Sequence, residues 1–464
     1  MSEIREFDVI VLGAGPAGEV CAGRLAENGR SVALLEQELV GGECSFYACM
    51  PSKGLLRPAQ ALAEARRIPG AAEAAQGELD VGAVLVRRDE IIHDRDDSVQ
   101  LPWIEGRGIA LIRGHATLTG EREVNVAGQS LRARQAVVLA PGSRASIPPV
   151  PGLADAEPWT NREVTTSEVI PSSLLVLGGG VVGVEMAQAY ASLGARVTLM
   201  ETQPRLIAAE EEFASDQVHE SLGRLGVEIL LEIEIASVER AKAGAAGGDR
   251  GVVTVELGDG RSFSADEILV AAGRRPLTDE LGLETVGLEP GASIEVDDRM
   301  RVPGHEWLYA VGDANGRVLL THMGKYQARL AADHILGREV SLRSDGRLSP
   351  RVIFTEPQVA AVGYTLTSAR EAGLYVRAAD VSVGAVAGSS FVGHGAPGTA
   401  RVILDQERCV LVGATFTGVE VAEWLHAATI AIVAEVPLEQ LWHAIPSFPT
   451  RSEVWLRLLE ELGL

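Results

Sequence analysis

The sequence predicts an α/β protein in which one βαβ unit occurs twice, and three observations predict it. A hydrophobic strand, a glycine turn and an Ala-rich helix follow one another at residues 7–36, in FDVIVLGAGPAGEVCAGRLAENGRSVALLE. The same succession returns at residues 173–201, in SLLVLGGGVVGVEMAQAYASLGARVTLME. At 464 residues the chain has room for about two to four domains, and Pro/Gly-rich or polar stretches at 146–152 and 341–350 mark boundaries between them.

In the first unit the strand 7–12 meets Gly13-x-Gly15-x-x-Gly18, a helix follows, and the second strand ends at Glu36. A GxGxxG turn alone is a weak signal. With a strand before it, a helix after it and an acidic residue at this distance it is a Rossmann-like dinucleotide-binding fingerprint. The first two glycines let the backbone turn tightly and approach a pyrophosphate at the positive end of the helix, and the third lets helix and strand approach closely. Glu36 is placed to accept hydrogen bonds from an adenosine ribose.

The second unit has Gly178, Gly180, Gly183 and Glu201, and its first glycine stands 23 residues before its acid, as in the first unit. Two accidents would not share strand, turn, helix and spacing, so two bound dinucleotides are expected. A carboxylate at Glu201 repels a 2′-phosphate, and the next residue is Thr202. NADH is therefore expected over NADPH, with Arg205 the one neighbour that argues otherwise.

Between the units lies GGECSFYACMPSK, residues 41–53, with Cys44 and Cys49 among only four cysteines. On one regular helix their Cα atoms would stand roughly 8.6 Å apart. A disulfide needs about 7 Å or less, so a bridge requires a broken helix start, which Gly41-Gly42 and Pro51 permit. No second cysteine pair and no nearby histidine completes a zinc set, and no metal site is expected. A close pair in a reducing compartment is more often reactive than structural, although a staple stays open. Cys21 and Cys409 read as buried packing residues.

The net charge of −23 repels nucleic acid and anionic membranes, and no apolar run is long enough to insert in a bilayer. The first residues, acidic and then apolar up to a glycine turn, read as a first strand rather than a secretory leader, and a cytoplasmic location is expected. Residues 243–251, AGAAGGDRG, read as a hairpin tip.

The cysteine segment resembles the active-site segment of the flavoprotein pyridine nucleotide–disulfide oxidoreductases, the family that includes dihydrolipoamide dehydrogenase. VVLAPGS (137–143), ILVAAGRRP (268–276), LYAVGDANG (308–316) and FTEPQVAAVG (354–363) resemble its other motifs, so the likeness runs through nearly the whole chain. The resemblance implies FAD in the first unit, NAD(P)H in the second and a C-terminal α+β dimerisation domain joining two copies into a homodimer. It implies an FAD-binding domain at 1–148, an NAD(P)-binding domain at 149–275, a central segment at 276–345 that completes the flavin site, and the interface domain at 346–464. Gly142 and Asp313 would contact FAD, with Asp313 on the ribitol, and Gly273 would lie at the nicotinamide nucleotide. Cys49 would be the sulfur nearer the flavin and Cys44 the one that meets substrate. Lys53 and Glu185 would form the ion pair beside flavin N5. Lysine is scarce, three residues (Lys53, Lys242, Lys325) against 38 arginines, which makes one at this motif notable.

The chain departs from the family near its end. HAIPSFPTRSE, residues 443–453, places Phe448 where the family has a proton-shuttling histidine, and Glu453 where it has the acid that orients that ring. The other register puts Ile445 there. A phenyl ring neither takes a proton nor stabilises a thiolate, so ordinary dithiol–disulfide turnover should be slow. His443 is either a substitute base or a surface residue. Phe46 and Ala48 stand where the family has Asn and Gly, and Phe46 and Tyr47 either line an apolar face with Phe448 or belong to the core.

An enzyme is therefore expected that passes hydride from NADH through FAD to Cys44–Cys49 and on to a small-molecule acceptor other than a disulfide: a quinone, a dye or a metal ion. The alternatives are a dihydrolipoamide dehydrogenase or other small-disulfide reductase with its base supplied elsewhere, a reductase/carboxylase of the 2-oxopropyl-coenzyme M type, and a non-catalytic flavoprotein subunit.

Overall fold

The computed structural model describes residues 4–242 and 250–464; most of the expected hairpin tip, at 243–249, lies outside the described residues. Two units are distinguished. One comprises Met1–Pro51, Asp89–Arg144 and Arg274–Gly346, the other Ser52–Arg88, Ala145–Gly273 and Arg347–Leu464.

In the first unit, strands run in the order Ala110–Arg113, Val32–Glu36, Arg5–Leu12, Gln129–Leu139, Glu123–Val126 and Ala116–Gly120, and Leu308–Ala310 also pairs with Gln129–Leu139. The central pairings are parallel: Val9 faces Val32, Leu12 faces both Leu35 and Leu139, and Ala310 faces Leu139. Parallel strands buried on both faces need unbroken apolar runs, which explains the lack of alternation in FDVIVL. Ile10, Leu12 and Leu35 enter one core, and Val9, Val11 and Leu34 enter the other. Helix Pro16–Glu27 starts from an extended Gly15 with Pro16 in its first turn, where a missing N–H costs nothing. Helix Thr321–Ile335 lies close against this part of the unit: a Cβ on Gly324 would stand 3.2 Å from Gly312 Cα and 3.4 Å from Ala17 Cβ.

The second unit carries the repeat. Parallel strands Glu228–Leu230, Arg196–Met200, Ser173–Leu177 and Glu267–Val270 form its sheet, with helix Val181–Ser192 following the glycine turn. An antiparallel trio, Ile235–Arg240, Val253–Leu257 and Ser262–Ala265, forms a separate sheet. The C-terminal portion is a five-stranded sheet in the order Arg351–Ile353, Gln358–Gly363, Val410–Gly418, Thr399–Asp405, Val376–Ser382. All its pairings are antiparallel. Helices Leu425–Val433 and Val454–Glu461 cover a core that includes Phe416 and Trp424. The fold class is the expected one, two Rossmann-like units and an α+β domain. Among the described residues no helix is long and apolar enough to cross a membrane.

Two readings are corrected or settled here. Cys21 is fully buried, but Cys409 is exposed. It closes the turn between strands Thr399–Asp405 and Val410–Gly418 at φ +53°, so the apolar run after it is buried and it is not. Phe46 is 1% exposed and belongs to the core rather than to an apolar face.

Candidate active site

The two glycine turns are built alike. Gly13 and Gly178 have φ of +100° and +110°, a region that favours glycine. A Cβ on Gly18 would lie 1.9 Å from Gly13 O, and one on Gly183 would lie 1.8 Å from Gly178 O, so each third glycine seats its helix on the first glycine's carbonyl. A Cβ on Gly15 or Gly180 would meet nothing within 4 Å. The middle glycine thus opens onto space at a helix N-terminus in both units, which is where a pyrophosphate would approach.

The acids repeat the pattern. Glu36 Oε2 accepts the Ala14 amide at 2.7 Å and Oε1 the Glu38 amide at 2.8 Å. Glu201 Oε2 accepts the Gly179 amide at 2.5 Å and Oε1 the Gln203 amide at 2.7 Å. Each carboxylate is fixed to its own turn with further lone pairs left for ribose hydroxyls. The residues present fit an adenine dinucleotide in each unit. Arg205, the expected dissenter, donates to the carbonyls of Glu210 at 2.9 Å and Ala208 at 2.6 Å.

In the first unit Ser143 Oγ donates to Asp313, and Arg274 donates to Ser143 Oγ at 2.8 Å and to its carbonyl at 2.7 Å. Gly142, at φ +78°, accepts the Leu277 amide at 3.0 Å. The distant motifs 137–143 and 308–316 are thereby joined, with the Asp313 side chain 25% exposed and reachable by a ligand.

The cysteine segment folds as two helices. Gly42–Phe46 ends at Tyr47 (φ −135°, ψ 1°), and a new helix, Cys49–Arg67, begins two residues later. This is the break a sulfur–sulfur bond requires. Both cysteines are free thiols and half-buried. Cys49 Sγ lies 3.5 Å from Thr321 Oγ1. The Cys44 thiol is pushed up, first by its hydrogen bond to Cys49 and then by burial, while Thr321 and the charge of Lys325 act the other way. Burial raises the Cys21 thiol to about 12, which leaves it inert.

In the second unit Lys53 Nζ lies 2.7 Å from Glu185 Oε2. Glu185 is 3% exposed at its side chain, and its other oxygen accepts the Phe354 amide at 2.9 Å. Lys53 also stands over the Phe354 ring, 4.7 Å from its centre. Three residues on, Gln188 accepts the Glu356 amide at 2.7 Å. The FTEP segment is therefore docked on helix Val181–Ser192, a role for Phe354 that the sequence reading missed. Gly273, at φ +116°, accepts the Ser146 amide at 2.9 Å.

The C-terminal segment is held by Arg451, which donates to Val419 O and Glu420 and stacks 5.0 Å over Trp424. Phe448 is 77% exposed, and His443 and Ile445 are exposed beside it. Glu453 Oε2 is buried and accepts no hydrogen bond among the described residues.

Comparison with known proteins places these features in a family. A family model described as pyridine nucleotide-disulphide oxidoreductase matches residues 7–328, and one for its dimerisation domain matches 349–458. Dihydrolipoyl dehydrogenase of Haloferax volcanii is 30% identical, over 98% of this chain and 95% of its own. Mercuric reductase of Staphylococcus aureus is 27% identical, over 97% of this chain and 81% of its own. The Cu(II) complex of the HOCl-induced flavoprotein disulfide reductase RclA from Escherichia coli superposes with a TM-score of 0.85. It covers 99% of this chain and 100% of that one at 23% identity, a likeness of fold.

Proposed function

The chain belongs to the pyridine nucleotide–disulphide oxidoreductases, FAD-dependent enzymes that use NAD(P)H, and we propose that its preferred acceptor is a soft metal ion reduced at Cys44–Cys49. The observation that carries this reading is Phe448, which stands in the segment where the resemblance puts the proton-shuttling histidine. A metal ion takes electrons from thiolates without needing a proton returned to the leaving sulfur, and thiolates favour soft ions. Two of the relatives compared are a mercuric reductase and a reductase with a Cu(II) complex.

Bound FAD supplies the two-electron relay between nicotinamide and sulfur. Glu36 and the helix after Gly15 hold its adenosine and pyrophosphate, and Gly142 and Asp313 hold its ribitol side. Glu185 holds Lys53 in place by offering it one oxygen and the Phe354 amide the other. In the second unit Gly178, Gly180, Gly183, Glu201 and Gly273 seat the nicotinamide nucleotide. Glu201 selects NADH, an assignment supported by the commitment of Arg205 to two carbonyls. Cys49 takes the electrons first and Cys44 meets the acceptor. For copper the balance is one NADH and two Cu(II) giving NAD⁺, one proton and two Cu(I).

Residues 1–148 with 276–345, 149–275 and 346–464 serve as flavin, nicotinamide and interface domains in this reading. A homodimer follows from the dimerisation domain, and a cytoplasmic location suits a working thiol pair.

The test is anaerobic stopped flow. Enzyme reduced with NADH is mixed with Cu(II), a quinone or lipoamide, and reoxidation is followed for wild type and Cys44→Ser. Fast reoxidation by Cu(II) that the variant loses supports the proposal; lipoamide turnover at ordinary dehydrogenase rates sinks it. The dihydrolipoyl dehydrogenase relatives favour the second reading, a small-disulfide reductase with its base supplied from elsewhere.

A further inference from the structure

Helix Thr321–Ile335 brings one of the three lysines of the chain toward the sulfur pair. Thr321, its first residue, touches Cys49 at 3.5 Å. Lys325 follows at i+4, one turn further along the same helical face, and is half-buried. Gly324, next to Lys325, lets the helix come close to Gly312 and to Ala17 at the start of helix Pro16–Glu27. The charge of Lys325 acts on both Cys44 and Glu19.

We propose that Lys325 is the fixed positive charge that favours the thiolate of Cys44 once the pair is reduced, supplying the electrostatic half of what an imidazolium supplies. The proposal rests on the redox role of Cys44–Cys49 given above. It makes Lys325 a positioning residue that acts through Cys44. A lysine ammonium keeps its charge throughout the range in which thiols titrate, so it stabilises a thiolate without passing it a proton at neutral pH. That division of labour suits an acceptor that binds sulfur and needs no hydrogen ion.

The other charged and titratable neighbours decide the sign. On the same short helix as Cys44, Glu43 is 3.6 Å from Arg274 and is answered by it. Cys49, on the next helix, is the hydrogen-bond partner that holds the Cys44 proton. His322, beside Thr321, is exposed. From helix Pro16–Glu27 comes Glu19, whose carboxyl burial raises to about 7, with Glu36 adding to the rise and Lys325 opposing it. An ionised Glu19 cancels part of the field of Lys325; a protonated one releases it.

The measurement is the pH dependence of Cys44 alkylation by iodoacetamide, read by peptide mass spectrometry on holoenzyme. Samples are reduced anaerobically with NADH in one arm and dithiothreitol in the other, for wild type, Lys325→Met, Lys325→Arg and Glu19→Gln. Lys325→Met is expected to raise the alkylation midpoint by about one pH unit, a tenfold loss of thiolate near neutrality. Lys325→Arg restores it, and Glu19→Gln moves it down. An unchanged midpoint in Lys325→Met with full flavin content overturns the proposal. If that variant loses flavin, an unmoved midpoint in Glu19→Gln overturns it instead. Failure of NADH, but not dithiothreitol, to expose two thiols condemns the redox reading and leaves the Lys325 result standing on its own arm.

Discussion

Lys53 and Glu185, 132 residues apart in sequence, meet at 2.7 Å, and the carboxylate that receives the ammonium is buried while the lysine is one-third exposed. Among the described residues no other cation pairs with Glu185, so its burial depends on Lys53 and on the Phe354 amide. Lys53→Met leaves a buried carboxylate with one hydrogen bond. The expected cost is about 1–3 kcal/mol, seen as a lower midpoint in thermal denaturation. Flavin reduction by NADH should slow at least tenfold in stopped flow. Wild-type rates in this variant would remove the pair from the electron path.

Phe448→His tests the missing proton shuttle. Lipoamide reduction is expected to rise by roughly a hundredfold, the lower range for a restored general acid–base. Steady-state assays beside Cu(II) reduction decide it. No gain in the disulfide reaction would mean that a base comes from elsewhere.

The glycines separate the two cofactors. Gly18→Ala places a methyl 1.9 Å from Gly13 O and should yield protein without flavin. Gly183→Ala makes the same clash, 1.8 Å from Gly178 O, in the other unit. It should keep the flavin and weaken NADH binding, since overpacking of this kind costs about 1–3 kcal/mol. Flavin absorbance and NADH titration give the two readouts. Equal flavin loss in both variants would contradict the assignment of one cofactor to each turn.

The proposed preference for NADH rests on Glu201. Two negative groups about 4 Å apart repel by roughly 4 kcal/mol at an effective dielectric near 20. A kcat/KM ratio of NADH to NADPH well above tenfold is expected, falling in Glu201→Ala. A wild-type enzyme indifferent to the 2′-phosphate would defeat this.

Glu19 predicts a pH effect on stability. Its carboxyl is raised from 4.5 to about 7 by burial, so the folded protein binds the proton more tightly than the unfolded chain. The sign is a loss of stability as pH rises from about 4.5 through 7, with the full deficit above 7. Glu19→Gln should melt at the wild-type temperature near pH 4.5 and higher than wild type at pH 8, by the equivalent of about 1–3 kcal/mol. The same difference at both pH values would assign the effect to packing.

The sequence made the repeated units and their glycines legible because each depends on a local pattern: a strand, a turn and an acid at fixed distance. It also permitted a broken helix start between Gly41-Gly42 and Pro51, and the structure puts the break at Tyr47. What it hid depends on residues far apart in the chain. Thr321 and Cys49 are separated by 272 positions, and the scarcity of lysine drew attention to Lys53 rather than to Lys325. The role of Phe354 was hidden because its amide and its ring meet Glu185 and Lys53 only in the folded chain. Cys409 was misread because a cysteine beside an apolar run resembles its neighbours, whereas a turn residue takes its exposure from the reversal of the chain.

The tether on Arg205 bears on redesign. Deleting the acid at 201 would lift a repulsion from the phosphorylated coenzyme but give it nothing to bind. The guanidinium of Arg205, four residues on in the chain, is already occupied by the loop it braces, so a new cation must be introduced, and the brace at Ala208 and Glu210 kept.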